Sequence, residues 1–271
     1  MQSKSKSKES DGVILIDLSS YVFYRNFAIH KWKAAAKLET LDDETFRSKF
    51  KKLFVENILG YAKKLKVPVS NVVFAQDCPR ASIWRMNIYP EYKKTRVRDI
   101  ANFDPYVFQM TYEELIPKME EQYGVRVCSV EGAEADDIIA VLARQLKAQI
   151  KTVYILSCDN DFIQLVDENI QVMDFQMKTL VKGVYEKLFD VYLTWKLIYG
   201  DESDNIPSID KKIGKVTAET LARNPQALAL KLENPQVKEN FERNAALIDM
   251  NRIPEYIVAR IISAVAEYKW D

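Results

Sequence analysis

The sequence predicts an α/β fold with a mostly parallel central sheet flanked by helices, followed by a helical C-terminal lobe. Short apolar segments with the length of buried strands alternate with helical patterns up to about residue 185. Beyond about residue 186 the pattern stays helical to the end. Such alternation is typical of a parallel sheet with crossover helices. The chain of 271 residues, 48% of them hydrophobic, is long enough to bury a large core.

The predicted elements follow from the spacing of apolar residues. The first strand is Val-Ile-Leu-Ile-Asp-Leu at 13–18, an apolar run closed by a carboxylate and a leucine. Further strands are predicted at 71–76, 125–130, 152–157 and 170–175, with a weaker one at 180–184. Helices are predicted at 41–66 and 134–148, where apolar residues recur every three or four positions.

The pattern divides the chain into three parts. Residues 1–11 alternate Lys and Ser without an apolar run, which predicts a flexible, solvated tail rather than a secretory signal. Residues 12–185 form the predicted α/β core, and residues 186–271 the helical lobe. Within the core, 79–123 interrupts the alternation, and long insertions between strands are often functional.

Composition excludes several classes of protein. No run of about 18 apolar residues exists, so a membrane-spanning helix is not expected. The three cysteines are widely spaced and odd in number, which favours reduced thiols in a cytoplasmic protein. The single histidine, His30, argues against histidine-rich zinc sites and histidine-dependent triads. Lys plus Arg and Asp plus Glu both total 39. This zero net charge argues at first sight against nucleic-acid binding.

The insertion is nevertheless rich in basic and aromatic residues. Six of its basic residues fall within nineteen positions, and they are Arg80, Arg85, Lys93, Lys94, Arg96 and Arg98. The aromatic residues among or soon after them are Trp84, Tyr89, Tyr92, Phe103, Tyr106, Phe108 and Tyr112. Basic side chains with stacking aromatics suit a path for single-stranded nucleic acid. The alternative is a solvated helical face with core aromatics.

Carboxylates follow the predicted strands. Asp17 ends the first strand, Asp77 follows the second, and Asp159 and Asp161 follow the strand at 152–157. Ligands of open α/β sheets lie beyond the carboxyl ends of the strands, so we expect these acids to converge at one edge.

Two further groups of acids have local alternatives. Glu134, Asp136 and Asp137 open a predicted helix, where they could simply complement its dipole. Asp201 and Asp204 lie in Gly-Asp-Glu-Ser-Asp-Asn-Ile-Pro, where turn and N-cap chemistry is the alternative.

Converging carboxylates repel one another unless cations neutralise them. Oxygen ligands favour Mg²⁺ or Mn²⁺, and the lack of histidine and cysteine clusters disfavours zinc and copper. Two such ions about 4 Å apart can bind the attacking and leaving oxygens of a phosphodiester. The acids and the basic segment together therefore indicate metal-dependent hydrolysis of nucleic acid.

The ordered motifs resemble the flap endonuclease and 5′-exonuclease family, which is PIN-like in fold, and are most similar to its T-even phage ribonuclease H type. They are Ile-Leu-Ile-Asp at 14–17, Phe-Ala-Gln-Asp at 74–77, Tyr-Pro-Glu-Tyr-Lys-Lys-Thr-Arg at 89–96, Glu-Ala-Asp-Asp at 134–137, Ser-Cys-Asp-Asn-Asp-Phe at 157–162, Gly-Asp-Glu-Ser-Asp-Asn-Ile-Pro at 200–207 and Leu-Ile-Asp-Met-Asn-Arg-Ile-Pro at 247–254. The resemblance covers about residues 12–268 and implies a helical arch, at about 79–123, over the active site.

The resemblance also implies roles for the acids. The residues that would serve a first Mg²⁺ are Asp17, Asp77, Glu134 and Asp136. Those for a second Mg²⁺ are Asp159, Asp161, Asp201 and Asp204, with Asp159 near enough to bridge. Asp137 would join the cluster, for example through water. Mn²⁺ would substitute for Mg²⁺.

The same resemblance assigns the basic residues. Lys93 would stabilise charge on the scissile phosphate, and Tyr92 would stack on the terminal nucleotide. The 5′ strand would be guided by the basic arch residues Lys94, Arg96 and Arg98, and the duplex phosphates would meet Lys211, Lys212 and Lys215 of the DNA-binding lobe. Ser208 and Lys211 stand where family members often carry glycines, which argues against a potassium site.

We therefore expect a Mg²⁺-dependent 5′-3′ exonuclease and flap endonuclease of the ribonuclease H type, acting in replication or repair. Its substrates would be DNA with a 5′ flap, nick or RNA primer. A single-strand-binding protein or sliding clamp is an expected partner by resemblance, and a monomer in the host cytoplasm of a phage is the expected setting. Two alternatives stay open: a PIN-type single-strand ribonuclease, and a non-catalytic structure-specific DNA-binding protein.

Setting the nine candidate acids aside changes the meaning of the zero net charge. Thirty acids then remain against 39 bases, so the rest of the chain carries +9. The sequence thus predicts an acidic pocket within a basic surface.

Overall fold

The structure is a computed structural model, and it describes residues 12–36, 43–96, 106–180 and 189–270. The predicted tail, Arg98, Phe103 and most of the weak strand at 180–184 lie outside these residues.

The centre of the molecule is a sheet whose five described strands all run parallel, which confirms the predicted fold class. The strands are β1 (Val13–Asp17), β2 (Val72–Gln76), β3 (Arg126–Ser129), β4 (Val153–Leu156) and β5 (Ile170–Met173). Their order across the sheet is β3-β2-β1-β4-β5, so the chain first winds to one side of β1 and then to the other. Strand order reverses at β1, where open parallel sheets bind ligands.

Helices surround the sheet and continue to the C-terminus. In chain order they are α1 (Leu18–Ala35), α2 (Asp43–Leu65), α3 (Arg85–Ile88), α4 (Tyr106–Met110), α5 (Ile116–Tyr123), α6 (Ala135–Leu146), α7 (Phe189–Tyr199), α8 (Lys215–Ala222), α9 (Pro225–Lys231), α10 (Pro235–Ile248) and α11 (Glu255–Ala264). The five residues between α4 and α5 are wound as a π-helix. Helix α2 and helix α6 confirm the two helices predicted for the core.

Helix α1 was not predicted from the sequence. Apolar and aromatic residues occur around its whole circumference, so no amphipathic stripe marks it. Its start is nevertheless encoded locally, because the Asp17 side chain caps it by accepting a hydrogen bond of 2.9 Å from the Ser20 amide.

The two faces of the sheet bury different sets of residues, as the alternation of side chains along a strand requires. On β1, Val13 and Leu15 pack with the apolar face of α6, whereas Ile14 and Ile16 pack with α1 and α2. Because both faces are covered, every residue of β1 is buried. This rigid centre holds the strand ends in place.

The C-terminal helices pack in two places. Helix α10 contacts α7, and a small apolar cluster joins α7, α8 and α10. Helix α11 instead returns to the sheet, where Ile257 and Ile261 pack with α6. Among the described helices, none has the length and apolar character needed to cross a membrane.

Candidate active site

Three predicted acids meet at the carboxyl edge of the sheet, as the strand pattern predicted. Asp17 is the last residue of β1 and pairs in register with Ala75, two residues before Asp77. Asp159 lies three residues beyond β4, the other neighbour of β1. Asp17 interacts electrostatically with both Asp77 and Asp159.

Asp17 is a buried carboxylate among like charges. Burial, reinforced by Asp77 and Asp159, raises its pKa to about 7. Its Oδ1 caps α1, and the Ser157 hydroxyl donates to its Oδ2 at 3.4 Å. A carboxylate held this way is poised to bind a cation, which would relieve the repulsion.

The N-terminus of α6 carries the next two predicted acids. Glu134 is the N-cap residue and is buried, and Asp136 lies in the first turn. Burial and the charges of Asp159 and Asp17 raise the pKa of Asp136 well above its usual value. The Ala135 amide donates to Asp77 Oδ1 at 2.8 Å, which ties the start of α6 to the end of β2.

Glu134 is held by three side chains. Lys93 Nζ donates to its Oε1 at 2.6 Å, and Arg85 Nη1 donates to its Oε2 at 2.9 Å. The hydroxyl of Tyr92 also donates to Oε2, at 3.1 Å. Although burial alone would raise it, Lys93 and Arg85 lower the pKa of Glu134 below its usual value. Glu134 therefore stays charged without any added cation.

Asp137 is held by protein side chains at the start of α6, and its part in metal binding stays a prediction. It is fully buried, and Arg85 Nη2 lies 2.9 Å from its Oδ1. Its Oδ2 accepts from Arg85, from Trp84 Nε1 at 2.9 Å and from the Glu134 amide at 3.0 Å. Through Oδ2 these partners tie Asp137 to Arg85, Trp84 and the start of α6, whereas its Oδ1 has the ion pair with Arg85 and no hydrogen bond among the described residues.

Arg85 and Trp84 are therefore supports of the site rather than a path for nucleic acid. Both side chains are buried, and Arg85 Nε also donates to the Leu247 carbonyl in α10 at 2.9 Å. The sequence shows only an arginine in a basic segment, so nothing in it distinguishes this buried residue from its exposed neighbours.

Tyr92 is also buried, with 3% of its surface exposed, and its stacking on a nucleotide stays a prediction that would require the ring to become accessible. Its hydroxyl lies 3.2 Å from Asp204 Oδ2 as well as contacting Glu134. The ring consequently positions two acids that come from distant parts of the chain.

Lys93 has a strained backbone that directs it to the acids. Its φ of 56° is in the left-handed region, which is unfavourable for a residue with a side chain, and its amide donates to the Asp204 carbonyl at 2.8 Å. Its ammonium lies 3.7 Å from Asp204 Oδ2 in addition to its contact with Glu134. Despite the opposing effect of burial, these carboxylates raise the pKa of Lys93, which keeps it protonated.

A second acidic group lies along the same edge, around a lysine that the sequence analysis missed. Lys196 of α7 forms ion pairs with Asp161 and, at 2.8 Å, with Asp201. Burial raises the pKa of Asp161 to about 6 in spite of Lys196. For Asp201 the balance is reversed, because Lys196 outweighs burial and lowers its pKa. In the sequence, Lys196 is only a lysine five residues before an aspartate, and that pattern is too weak to predict its ion pairs with Asp161 and Asp201.

The turn after α7 requires a glycine. Gly200 has φ of +86°, and a Cβ there would lie 2.2 Å from the Ile206 carbonyl oxygen. The turn closes through hydrogen bonds between Asp201 and Ile206, which places Asp201 and Asp204 on the same side.

These residues suit hard divalent cations. Within the described part of the chain, no three His, Cys, Asp or Glu side chains lie close enough to bind one ion together. Instead, Lys93 and Lys196 contact the acids. The donors are nevertheless carboxylate oxygens, and burial together with neighbouring carboxylates raises the pKa values of Asp17 and Asp136. Cations bound through oxygen would favour the charged forms of these acids.

The remaining predicted basic residues that the structure describes lie on the surface. Arg96 forms an ion pair with Asp204, and Lys94 pairs with Glu91 at 2.9 Å. The three lysines predicted to meet duplex phosphates are exposed, and they are Lys211, Lys212 and Lys215. Gly214 precedes α8 with no atom within 4 Å of a Cβ placed there, so packing does not require glycine at this position.

A parallel sheet with clustered carboxylates at its switch point and exposed basic residues nearby is the arrangement of an enzyme that hydrolyses phosphodiesters. Comparison with known proteins gives the family. A sequence model described as 5′-3′ exonuclease, N-terminal resolvase-like domain, matches residues 12–190. The chain belongs to the 5′-3′ exonuclease family and is a nuclease.

Individual relatives agree with this assignment. The chain is 27% identical to a 5′-3′ exonuclease of Buchnera aphidicola over 78% of its own length and 69% of the relative. It is 24% identical to a protein named ribonuclease H of phage T4, over 96% of this chain and 88% of the relative. Among solved structures, the T5 D15 protein co-crystallised with metal ions has a TM-score of 0.67 at 17% identity, covering 95% of this chain and 99% of that one. The fold is therefore shared along almost the whole chain.

Proposed function

We propose that the protein is a Mg²⁺-dependent 5′-nuclease that removes RNA primers and short DNA from 5′ ends and cuts 5′ flaps by a two-metal-ion mechanism. The observation that carries the proposal is the convergence of Asp17, Asp77 and Asp159 at the switch point of the sheet. One relative is named a ribonuclease H, and one similar structure is titled as a flap endonuclease pseudo-enzyme-product complex with DNA and metal ions.

Two groups of carboxylates would hold the cations. The first is Asp17, Asp77, Glu134 and Asp136, and the second is Asp159, Asp161, Asp201 and Asp204. Divalent ions supply positive charge for the phosphodiester oxygens and promote attack by water. Because Mn²⁺ also prefers oxygen ligands, it should replace Mg²⁺.

The protein's own cations complete the site. Lys93, fixed by Glu134 and by its strained backbone, lies where it can stabilise charge that develops on the scissile phosphate. Arg96 at the mouth of the site and the surface lysines at 211, 212 and 215 would bind phosphates farther along the nucleic acid. Products would keep the phosphate on their 5′ ends.

The experiment is hydrolysis of matched 5′-flap, nicked and RNA-primed duplexes, labelled at the 5′ end, with Mg²⁺ or with chelator. We expect cleavage only with Mg²⁺ and a loss of at least about a hundredfold in Asp17→Ala and Asp159→Ala. Glu219→Ala, which changes an exposed acid in α8, is the control and should stay active. Equal rates with chelator, or full activity in both site variants, would sink the proposal.

A further inference from the structure

Three aromatic side chains form a row on one face of α7. Tyr192, Trp195 and Tyr199 are spaced three and four residues apart, which puts them on the same side of a helix. The ring centroids of Tyr192 and Trp195 lie 5.9 Å apart, and those of Trp195 and Tyr199 lie 5.3 Å apart. The interplanar angles are 26° and 13°, so the rings are nearly parallel. We call these three residues the aromatic ladder.

The aromatic ladder lines an open cleft of about 540 Å³ that also contains the second acidic group. At one end, Tyr192 is close enough to interact electrostatically with Asp161 and Asp159. At the other end, the ammonium of Lys215 lies 5.7 Å from the ring centroid of Tyr199. The ladder thus leads from the acids towards an exposed cation.

Packing alone does not account for the ladder. Trp195 and Tyr199 contact the apolar cluster of the C-terminal helices on one side, but Tyr192 is not part of that contact. All three rings stay only half-buried while lining the cleft. Two of the rings have local polar partners, since Trp195 Nε1 donates to the Lys215 carbonyl at 3.3 Å and the Tyr199 hydroxyl donates to Glu202 at 2.8 Å. These bonds orient the rings of Trp195 and Tyr199.

We propose that the aromatic ladder is a subsite for unpaired bases of the nucleic-acid strand whose phosphate lies at the acidic cluster. Every base has an aromatic face, so stacking on such rings binds a strand regardless of its sequence. Paired bases are already stacked within a duplex, which restricts the subsite to unpaired nucleotides. Arg96, which lines the same cleft, is placed to contact the phosphates of these nucleotides. This inference rests on the proposed nuclease function, because that function supplies the nucleic-acid strand. The stacking of bases on the rings can nevertheless be tested without catalysis.

The test compares binding affinities for arms with and without a base, in the native protein and in variants that lack a ring. Fluorescence anisotropy measures these affinities, with chelator present so that no cleavage occurs. The probes are a duplex with a single-stranded 5′ arm of normal bases, and the same molecule with abasic residues scanned along the arm. One position of the abasic residue should place it at the aromatic ladder. We expect the native protein to bind the normal arm about 5- to 30-fold more tightly than the arm with the abasic residue at that position. Trp195→Leu should lose this preference, and Trp195→Phe should keep it.

Two further variants separate stacking from folding defects. Tyr192→Leu removes a ring outside the apolar cluster and should reduce the preference without lowering the melting temperature. Trp270→Leu changes a partly buried tryptophan that packs on Arg126 beside β3, and the preference should remain. The inference is overturned if the native protein binds abasic and normal arms equally, or if Trp195→Leu and Tyr192→Leu discriminate as well as the native protein. In either case cleavage with Mg²⁺ would still report on the proposed function separately.

Discussion

The ammonium of Lys93 lies 2.6 Å from Glu134 Oε1, although 41 residues separate the two in the chain. Arg85 contacts the other carboxylate oxygen, so Glu134 bridges the buried guanidinium of Arg85 and the largely buried ammonium of Lys93. This relationship places one residue of the basic segment within the acidic cluster.

Replacing Lys93 with Met should reduce kcat far more than it changes KM. The ammonium is placed to stabilise charge in the transition state, so we expect a loss in kcat of about a hundredfold or more. Steady-state kinetics on a 5′-flap duplex measure this, with Lys52→Met, an exposed lysine of α2 paired with Glu56, as the control. An equal effect of the two substitutions would contradict the role given to Lys93.

Arg85→Met should destabilise the protein strongly. It leaves the buried carboxylates of Glu134 and Asp137 without their guanidinium partner, and breaking such a pair costs about 3–5 kcal/mol. Urea denaturation should show this loss in the free energy of unfolding. Arg223→Met breaks an exposed pair with Glu219 in α8 and should cost less than about 1 kcal/mol. Similar losses in both variants would show that the Arg85 network contributes little.

The metal-free protein should lose stability as pH rises. Burial raises the pKa of Asp17 to about 7, above its unfolded value of about 3.9, so the folded state binds this proton more tightly. The resulting stability is complete below about pH 4 and is lost as pH rises through 7. Between pH 5 and 8 we expect the free energy of unfolding to fall by on the order of 1–3 kcal/mol.

Chemical denaturation at several pH values, with chelator, measures this dependence. Asp17→Asn should reduce this dependence, because the amide does not titrate, and the raised pKa values of Asp136 and Asp161 should account for the remainder. Mg²⁺ should stabilise the native protein more at pH 8 than at pH 5, since protons compete with the cation. A native profile that matches Asp17→Asn would refute this explanation.

Lys196→Met should make the protein more dependent on divalent cations. Without the ammonium, Asp161 and Asp201 repel each other in the metal-free state, so the melting temperature should fall. Mg²⁺ should then raise the melting temperature of the variant more than that of the native protein. Thermal scans with Mg²⁺ and with chelator test this, and equal shifts in the two proteins would count against it.

Binding of duplex DNA should weaken as salt rises. If Lys211, Lys212 and Lys215 each contact a phosphate, replacing all three with Ala should make the slope of log K against log salt shallower by about 3. Titrations at several salt concentrations, with chelator, give the slope. Lys147→Ala, at the C-terminal end of α6, is the control and should leave it unchanged. An unchanged slope in the triple variant would remove these lysines from the interface.

Local patterns in the sequence were enough to predict the parallel sheet, two of the core helices and the convergence of Asp17, Asp77 and Asp159. Strand ends can be predicted because an apolar run and the acid that follows it are adjacent in the chain, and parallel pairing then brings such ends to one edge. Helix α1 escaped prediction because it is apolar around its circumference.

Only the tertiary structure decided which charged residues face the acids and which support them. Asp136 and Asp137 are neighbours in the chain. Asp136 has a raised pKa through burial and the charge of Asp159, whereas Asp137 forms a buried ion pair with Arg85. Sequence position does not reveal burial, and burial determines whether a charge meets water, a cation or a fixed partner. The same reason explains why the sequence did not reveal that Tyr92 is buried or that Lys196 forms ion pairs with two acids.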